Sequence, residues 1–224
     1  LNVAARLALI CERVTILVGC GCRVSAGVAC PLVTAMVEHE RSFSRIGKTG
    51  TQMSDAIILE TPRLVLTMWN KGDAELIRQL HSTIETTRYL SGAAPWTLEK
   101  AEERLKSWFG EHARDGVTKY KMLRRDDGRF IGRAGFSRFH QENGRGEFEL
   151  GYSIRKDAWG NGYATEIADA LAQWFFKRGL ARQFIAFTHP ENAASQRVLR
   201  KIGMQDHPPM VIDGISCPTF RMAR

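Results

Sequence analysis

The residues best placed to do chemistry lie in the run ELGYSIRKDAWGNGYA, positions 149–164. An alternating apolar segment runs into Trp159-Gly160-Asn161-Gly162, and an amphipathic helical pattern begins at once. Glycines at a helix N-terminus let backbone N–H groups approach a ligand closely. The helix dipole adds attraction for an anion, so the arrangement suits a phosphate. It is not a Walker loop, because no Gly-Lys-Ser/Thr follows. It is not the dinucleotide G-x-G-x-x-G, because the third glycine is missing. A tight strand-to-helix connection with no ligand is the plainer alternative.

Other reactive side chains form no recognisable set. His140, His189 and His207 are scattered without metal-ligand spacing, so no metal site is expected. Cys11, Cys20, Cys22 and Cys30 are spaced by eight, one and seven residues, unlike zinc knuckles, and Cys217 stands alone. Cys217 has no evident base partner and reads as packing. A disulfide framework would need a secreted context, whereas the rest of the chain looks like a cytoplasmic enzyme.

The elements that must carry the glycine run follow from periodicity. Residues 57–59 and 64–68 read as a strand pair or one strand interrupted by Pro62. Residues 73–81 and 98–112 read as amphipathic helices, the second capped by Thr97. Strands 120–124 and 130–136 flank the turn Asp127-Gly128, and Asn143-Gly144 marks a second turn. Residues 147–154 alternate strictly, with Phe148, Leu150, Tyr152 and Ile154 on one face and Glu147, Glu149 and Ser153 on the other. A helix over 164–178 stops at Gly179. A strand over 184–188 follows, and Asn192 caps a helix that stops at Gly203. Weak strands over 210–212 and 218–222 surround Asp213-Gly214. A meander followed by βαβ-like units implies an α/β (α+β) fold. Its mixed, mostly antiparallel, twisted sheet should have about six or seven strands, with helices on both faces.

The chain has 224 residues, 25% charged, with a formal net charge of +8. The charge is spread without basic blocks or nucleic-acid motifs, so no nucleic-acid partner is expected. The longest uncharged run near the N-terminus, 24–37, is too short for a membrane span and contains Pro31. Val14 to Cys22 resembles a short signal core, but Glu12 and Arg13 sit against it. Leu1 is not an ordinary initiator, whereas Met53 begins a run that reads as a natural start. Residues 1–52 are therefore expected to be a disordered appendage or an upstream-translation artefact, and 53–224 the working domain.

WGNGYATE resembles the acetyl-CoA pyrophosphate loop of the GNAT N-acetyltransferases, whose pattern is Q/R-x-x-G-x-G/A. Trp159 stands in the first place, Gly162 in the fourth and Ala164 in the sixth. Trp159 departs from Gln/Arg in the manner of the RimJ/RimL-type branch, the ribosomal-protein N-terminal acetyltransferases and their relatives. ILETPRLVLT at 58–67, GYSIRKDAWGNGYATE at 151–166 and HPENAASQRVLRKIGM at 189–204 also resemble that branch. The resemblance implies the GNAT fold, with acetyl-CoA as acyl donor and no metal. The backbone of Tyr152, Ser153 and Ile154 would pair with the pantetheine arm. The run Trp159, Gly160, Asn161, Gly162, Tyr163, Ala164 and Thr165 would hold the pyrophosphate, and Asn192 would steady the pantetheine. Arg197, Arg200 or Lys201 could meet the outer phosphate, but solvated helix-face charges describe them better.

Amine acetylation needs a proton acceptor for the amine and tolerates a proton donor for the departing thiolate. Glu149 is the base candidate, directly or through a water, because partial burial would make it a better base. Glu147 shares its face and competes, and either carboxylate could instead be structural or anchor the amine. Many GNAT enzymes place a Tyr where this chain has Leu199, so the usual acid is missing. Ser195 takes the role proposed in the RimL-like branch, unless it only bonds the first helical turn. Trp69, Trp96, Trp108 and Phe109 could line an acceptor pocket, although Trp108 and Phe109 fit a helix core face.

The expected function is acetyl transfer to a primary amine, a protein N-terminus or a small molecule, by direct transfer in a ternary complex. The enzyme should be a cytoplasmic monomer or homodimer with no membrane partner. The loops near 91–96 and 207–216 would set the acceptor. A non-catalytic acyl-CoA-binding regulatory module is the alternative, and a basic nucleic-acid-binding protein a more distant one.

Overall fold

The computed structural model describes residues 56–90, 92–140 and 146–224. The expectations for 1–52, the four N-terminal cysteines, Ser91 and the Asn143-Gly144 turn lie outside the described residues. Nine elements lead to the site: β1 (Ile57–Glu60), β2 (Leu64–Thr67), α1 (Ala74–Leu80), α2 (Ile84–Thr87), α3 (Leu98–Asp115), β3 (Lys119–Arg124), β4 (Phe130–His140), β5 (Gly146–Ile154) and α4 (Tyr163–Lys177). β6 (Gln183–Phe187), α5 (Ala193–Lys201), β7 (Gln205–Ile212) and β8 (Ile215–Ala223) complete the described chain. The strands form one sheet in the order β1-β2-β3-β4-β5-β6-β8-β7. Every neighbouring pair is antiparallel except β5 with β6.

Eight strands exceed the six or seven expected, for one local reason. Thr61–Arg63 makes a turn, so β1 and β2 pair with each other rather than form one interrupted strand. At the other end, β7 extends back through Pro208-Pro209 to Gln205, so only its last residues, 210–212, read as a strand. It lies on the sheet edge, where a missing N–H costs no ladder bond, and its register slips between His207 and Met210. The short α2 carries no sequence signal, because four residues show no period. The Thr97 cap is present: its side chain accepts from the Lys100 N–H at 3.2 Å.

The sheet separates two cores. On one face α4 packs Ile167, Leu171 and Phe175 against Phe136, Phe148 and Phe184. Phe175 lies 4.5 Å from Phe136 and 5.0 Å from Phe184 between ring centroids. On the other face α1 and α3 cover a smaller core of Trp69, Ile77, Leu80, Leu105, Trp108 and Phe130. Trp69 and Trp108 stack at 5.2 Å and are buried, which makes them core rather than pocket wall. Trp96 and Phe109 are partly buried against the same core. No helix among the described residues is long and apolar enough to cross a membrane.

Candidate active site

The parallel β5–β6 pair opens where chemistry is expected. Its register holds at one point, Glu149 with Ile185. Beyond it β5 continues to Ile154 paired with β4 alone. A wedge therefore opens between β5 and β6, edged by the backbone that follows Glu149. An unpaired strand edge of this kind can accept an extended amide-bearing chain.

At the end of β5 the chain makes a short 3₁₀ turn, Lys156–Ala158, and enters α4 through the glycine run. Gly160 and Gly162 have φ of 79° and 77°, the left-handed region that side-chain-bearing residues avoid. The run is braced from outside. Arg63 Nη1 donates to the Asn161 carbonyl at 2.9 Å and Nε donates to Glu166 Oε2 at 2.6 Å. Thr61 Oγ1 donates to Glu166 Oε1 at 2.6 Å. Burial opposes ionisation of Glu166, but the hydrogen bonds from Thr61 and Arg63 outweigh it and hold the carboxyl below its usual range.

The side chains of Trp159 and Asn161 are spent on the loop itself. Trp159 Nε1 donates to the Ile154 carbonyl at 2.7 Å, and Asn161 Nδ2 reaches the carbonyls of Ala158 and Trp159. The Ile154 carbonyl is therefore taken. Tyr163, Ala164 and Thr165 form the first turn of α4, with Arg63 stacked 4.8 Å over the Tyr163 ring.

Asn192 caps α5: its Oδ1 accepts from the Ser195 N–H at 3.1 Å. Its amide nitrogen makes no hydrogen bond among the described residues. Ser195 Oγ lies 2.8 Å from the Tyr152 hydroxyl. Burial pushes the Tyr152 phenol up to about 12, against the Ser195 hydrogen bond, so it stays protonated at neutral pH. Leu199 is buried in the core. Arg197 and Lys201 are exposed, and Arg200 pairs with Asp206 at 2.8 Å.

Glu149 stands at the opening of the wedge and is not alone there. Lys119 Nζ donates to Glu149 Oε2 at 2.7 Å, to the Glu149 carbonyl at 2.9 Å and to the Gly135 carbonyl at 3.1 Å. The two side chains are 5% and 17% exposed for Lys119 and Glu149, so the ion pair is largely desolvated. Burial pushes the Lys119 ammonium down, and Glu149 opposes that shift. The lysine reaches β5 across a bare lane: Gly135 and Gly151 are register partners. A Cβ on Gly151 would lie 2.8 Å from Glu149 Oε1 and 2.9 Å from Lys119 Nζ. The pair fixes Oε2, while among the described residues no hydrogen bond reaches Oε1. The competing Glu147 is occupied, accepting from Gln183 Nε2 at 3.0 Å and facing Arg221 at 3.6 Å.

Sequence reasoning did not identify Lys119, the Tyr152 phenol or the Arg63–Glu166 brace. A signal existed for the first: Lys119 and Lys121 alternate with Tyr120 and Met122, which places both lysines on one sheet face. His189 stacks on Tyr89 at 5.2 Å and accepts from the Glu191 N–H; His207 is half-buried. The His140 side chain lies outside the described residues. No group of His, Cys, Asp and Glu among the described residues could hold a metal. Cys217 is buried, and burial pushes its thiol up, away from the nucleophilic thiolate.

Residues 63–205 match the family described as acetyltransferase (GNAT) domain. The uncharacterized N-acetyltransferase YoaA of Bacillus subtilis (strain 168) is 33% identical over 150 residues, 66% of this chain and 82% of YoaA. An acetyltransferase structure from Agrobacterium tumefaciens str. C58 superposes with a TM-score of 0.65 at 22% identity, covering 80% of this chain and all of that one. RimL, a ribosomal L7/L12 α-N-protein acetyltransferase solved with coenzyme A, superposes with a TM-score of 0.62 at 17% identity, covering 75% and 98%. At these identities the structural likeness speaks for the fold.

Proposed function

Because this chain belongs to the GNAT acetyltransferases, we propose that it moves an acetyl group from acetyl-CoA straight to a primary amine in one ternary complex. The observation that carries this reading is the wedge between β5 and β6, with Glu149 at its opening and the glycine run at its far end. Acetyl-CoA supplies the activated acyl group. The amides of Gly160 to Thr165 hold its pyrophosphate, the edge at Tyr152 and Ser153 takes the pantetheine, and the Asn192 amide nitrogen steadies it. Trp159, Asn161 and the Ile154 carbonyl act by shaping the loop. The catalytic unit is residues 53–224, with 1–52 an appendage.

Glu149 Oε1 accepts the proton that the amine loses, directly or through one water, while Lys119 holds Oε2 in place. As the C–N bond forms and the C–S bond breaks, Ser195 Oγ, backed by the Tyr152 hydroxyl, gives a proton to the departing sulfur. The pair replaces the tyrosine that Leu199 displaces. Tyr152→Phe removes the backing hydroxyl and keeps the ring, so kcat should fall about tenfold with acetyl-CoA affinity unchanged, as stopped thiol-release assays would report. An unchanged kcat would leave the tyrosine a packing residue.

Gly162→Val forces a β-branched residue into a left-handed conformation, at a cost of about 1–2 kcal/mol. The loop should relax out of shape, lowering acetyl-CoA affinity at least tenfold while the melting temperature moves only a few degrees. Calorimetric titration beside a melting curve measures both. Full affinity in this variant would detach the loop from cofactor binding.

RimL acts on the α-amino group of a ribosomal protein, which supports a protein N-terminus as one acceptor class; a small-molecule amine is the other. Initial velocities at varied acetyl-CoA and amine test the direct route. Intersecting lines are expected; parallel lines would mean an acyl-enzyme and overturn it.

A further inference from the structure

Three long cationic side chains run into the sheet face that also carries Glu149. Two are neutralised: Lys119 by Glu149 at 2.7 Å and Lys121 by Asp73 at 2.9 Å. The third, Arg133 on β4, is only 8% exposed. Its Nε donates to His81 Nε2 at 3.3 Å, and its guanidinium carbon lies 5.3 Å from the centroid of Trp108. Among the described residues no carboxylate forms an ion pair with it, and neither Nη nitrogen has a hydrogen-bond acceptor. A buried cation without a counter-ion is costly.

The neighbours do not remove that cost. Burial, helped by the charge of Arg104 and opposed by Glu149 and Glu111, pushes Arg133 down only to about 10, so it is charged at neutral pH. His81 is fully buried and held down to about 2 by burial and by Arg133, so it is neutral and offers one lone pair. Arg104 stands 5.7 Å from the Trp108 ring and Lys100 5.2 Å from that of Trp96, which itself packs on His81 at 4.2 Å. The local balance is positive. A fork with both outer nitrogens open matches the two oxygens of a carboxylate. Ser153, the register partner of Arg133, lies on the same β5 strand as Glu149.

We propose that Arg133 binds a carboxylate on the amine acceptor, so that the preferred substrates are amines that also carry a carboxylate. This rests on the acetyltransferase reading. The test uses the full chain with ω-amino acids of increasing length and the matching carboxamides. At the best length the carboxylate should exceed its carboxamide by about 10–100-fold in kcat/KM, the worth of a charge-assisted bidentate contact. Arg133→Met should abolish that preference and leave the carboxamide rate within about threefold. Its melting temperature should hold or rise, since the change removes an unpaired buried charge; a structural brace would instead melt lower. Arg133→Lys keeps the charge without the fork and should recover only part of the preference. Equal kcat/KM for every carboxylate and carboxamide pair would overturn the proposal. Succinate titrated into the chain saturated with CoA gives a readout independent of turnover. Binding lost in Arg133→Met supports the site even if no amine is acetylated, in which case the acetyl-transfer reading alone fails. Binding that is absent, or equal in both proteins, counts against the site.

Discussion

Lys119→Met should lower the stability of the fold by about 3 kcal/mol, at the low end for breaking a buried ion pair because Glu149 keeps some solvent contact. Methionine fills much of the lysine stem but offers nothing to Glu149 Oε2 or to the carbonyls of Glu149 and Gly135, all three of which the ammonium satisfies. For a domain of this size the melting temperature should fall by about 6–12 °C. The double variant Lys119→Met/Glu149→Met separates an ion pair from mere packing. With both charges gone the lane over Gly135 and Gly151 holds two flexible apolar chains, and about 1–2 kcal/mol should be recovered, the rest staying lost because the carbonyls of Glu149 and Gly135 still lack the ammonium. A single variant that melts like the parent would mean that the pair is screened by solvent.

Glu149→Gln should lower kcat by about 10²–10³-fold, the usual worth of a positioned base, with acetyl-CoA affinity within about threefold. Glutamine keeps the length and still offers Lys119 an oxygen, so the change removes proton acceptance with little loss of shape. The rate must be read below the melting transition, because Lys119 loses its counter-charge. Comparison with Glu147→Gln decides between the two carboxylates. Glu147 is held by Gln183 and Arg221 away from the wedge, and its loss should change kcat by less than about threefold. The reverse order of effects would move the base to Glu147.

Local pattern carried much of this into the sequence. The strands from β3 to β5 and the helices α3 and α4 announce themselves by period, by the Thr97 cap and by the Asp127-Gly128 turn. The glycine run is legible because left-handed backbone at a helix start demands glycine. The first half of β7 was hidden because Pro208-Pro209 is tolerated only by virtue of its edge position, and edge position is a property of the whole sheet. The Lys119–Glu149 pair was hidden for a similar reason. The residues are thirty apart in sequence, and they meet because register sets Gly135 beside Gly151. Glu149 was expected to gain basicity from burial alone, whereas an ammonium sits against it. Tyr152 was read for its backbone, since nothing in β5 reveals that its hydroxyl reaches Ser195 on α5.

The central claim is tested most directly by adding acetyl-CoA and a panel of primary amines to the full chain and measuring free thiol. The panel should span peptide N-termini and small amines. Thiol release that requires both the chain and an amine, with the acetyl group recovered on nitrogen, is the predicted result. Saturable acetyl-CoA binding with no amine-dependent release from any member of the panel would contradict it and favour an acyl-CoA-binding module.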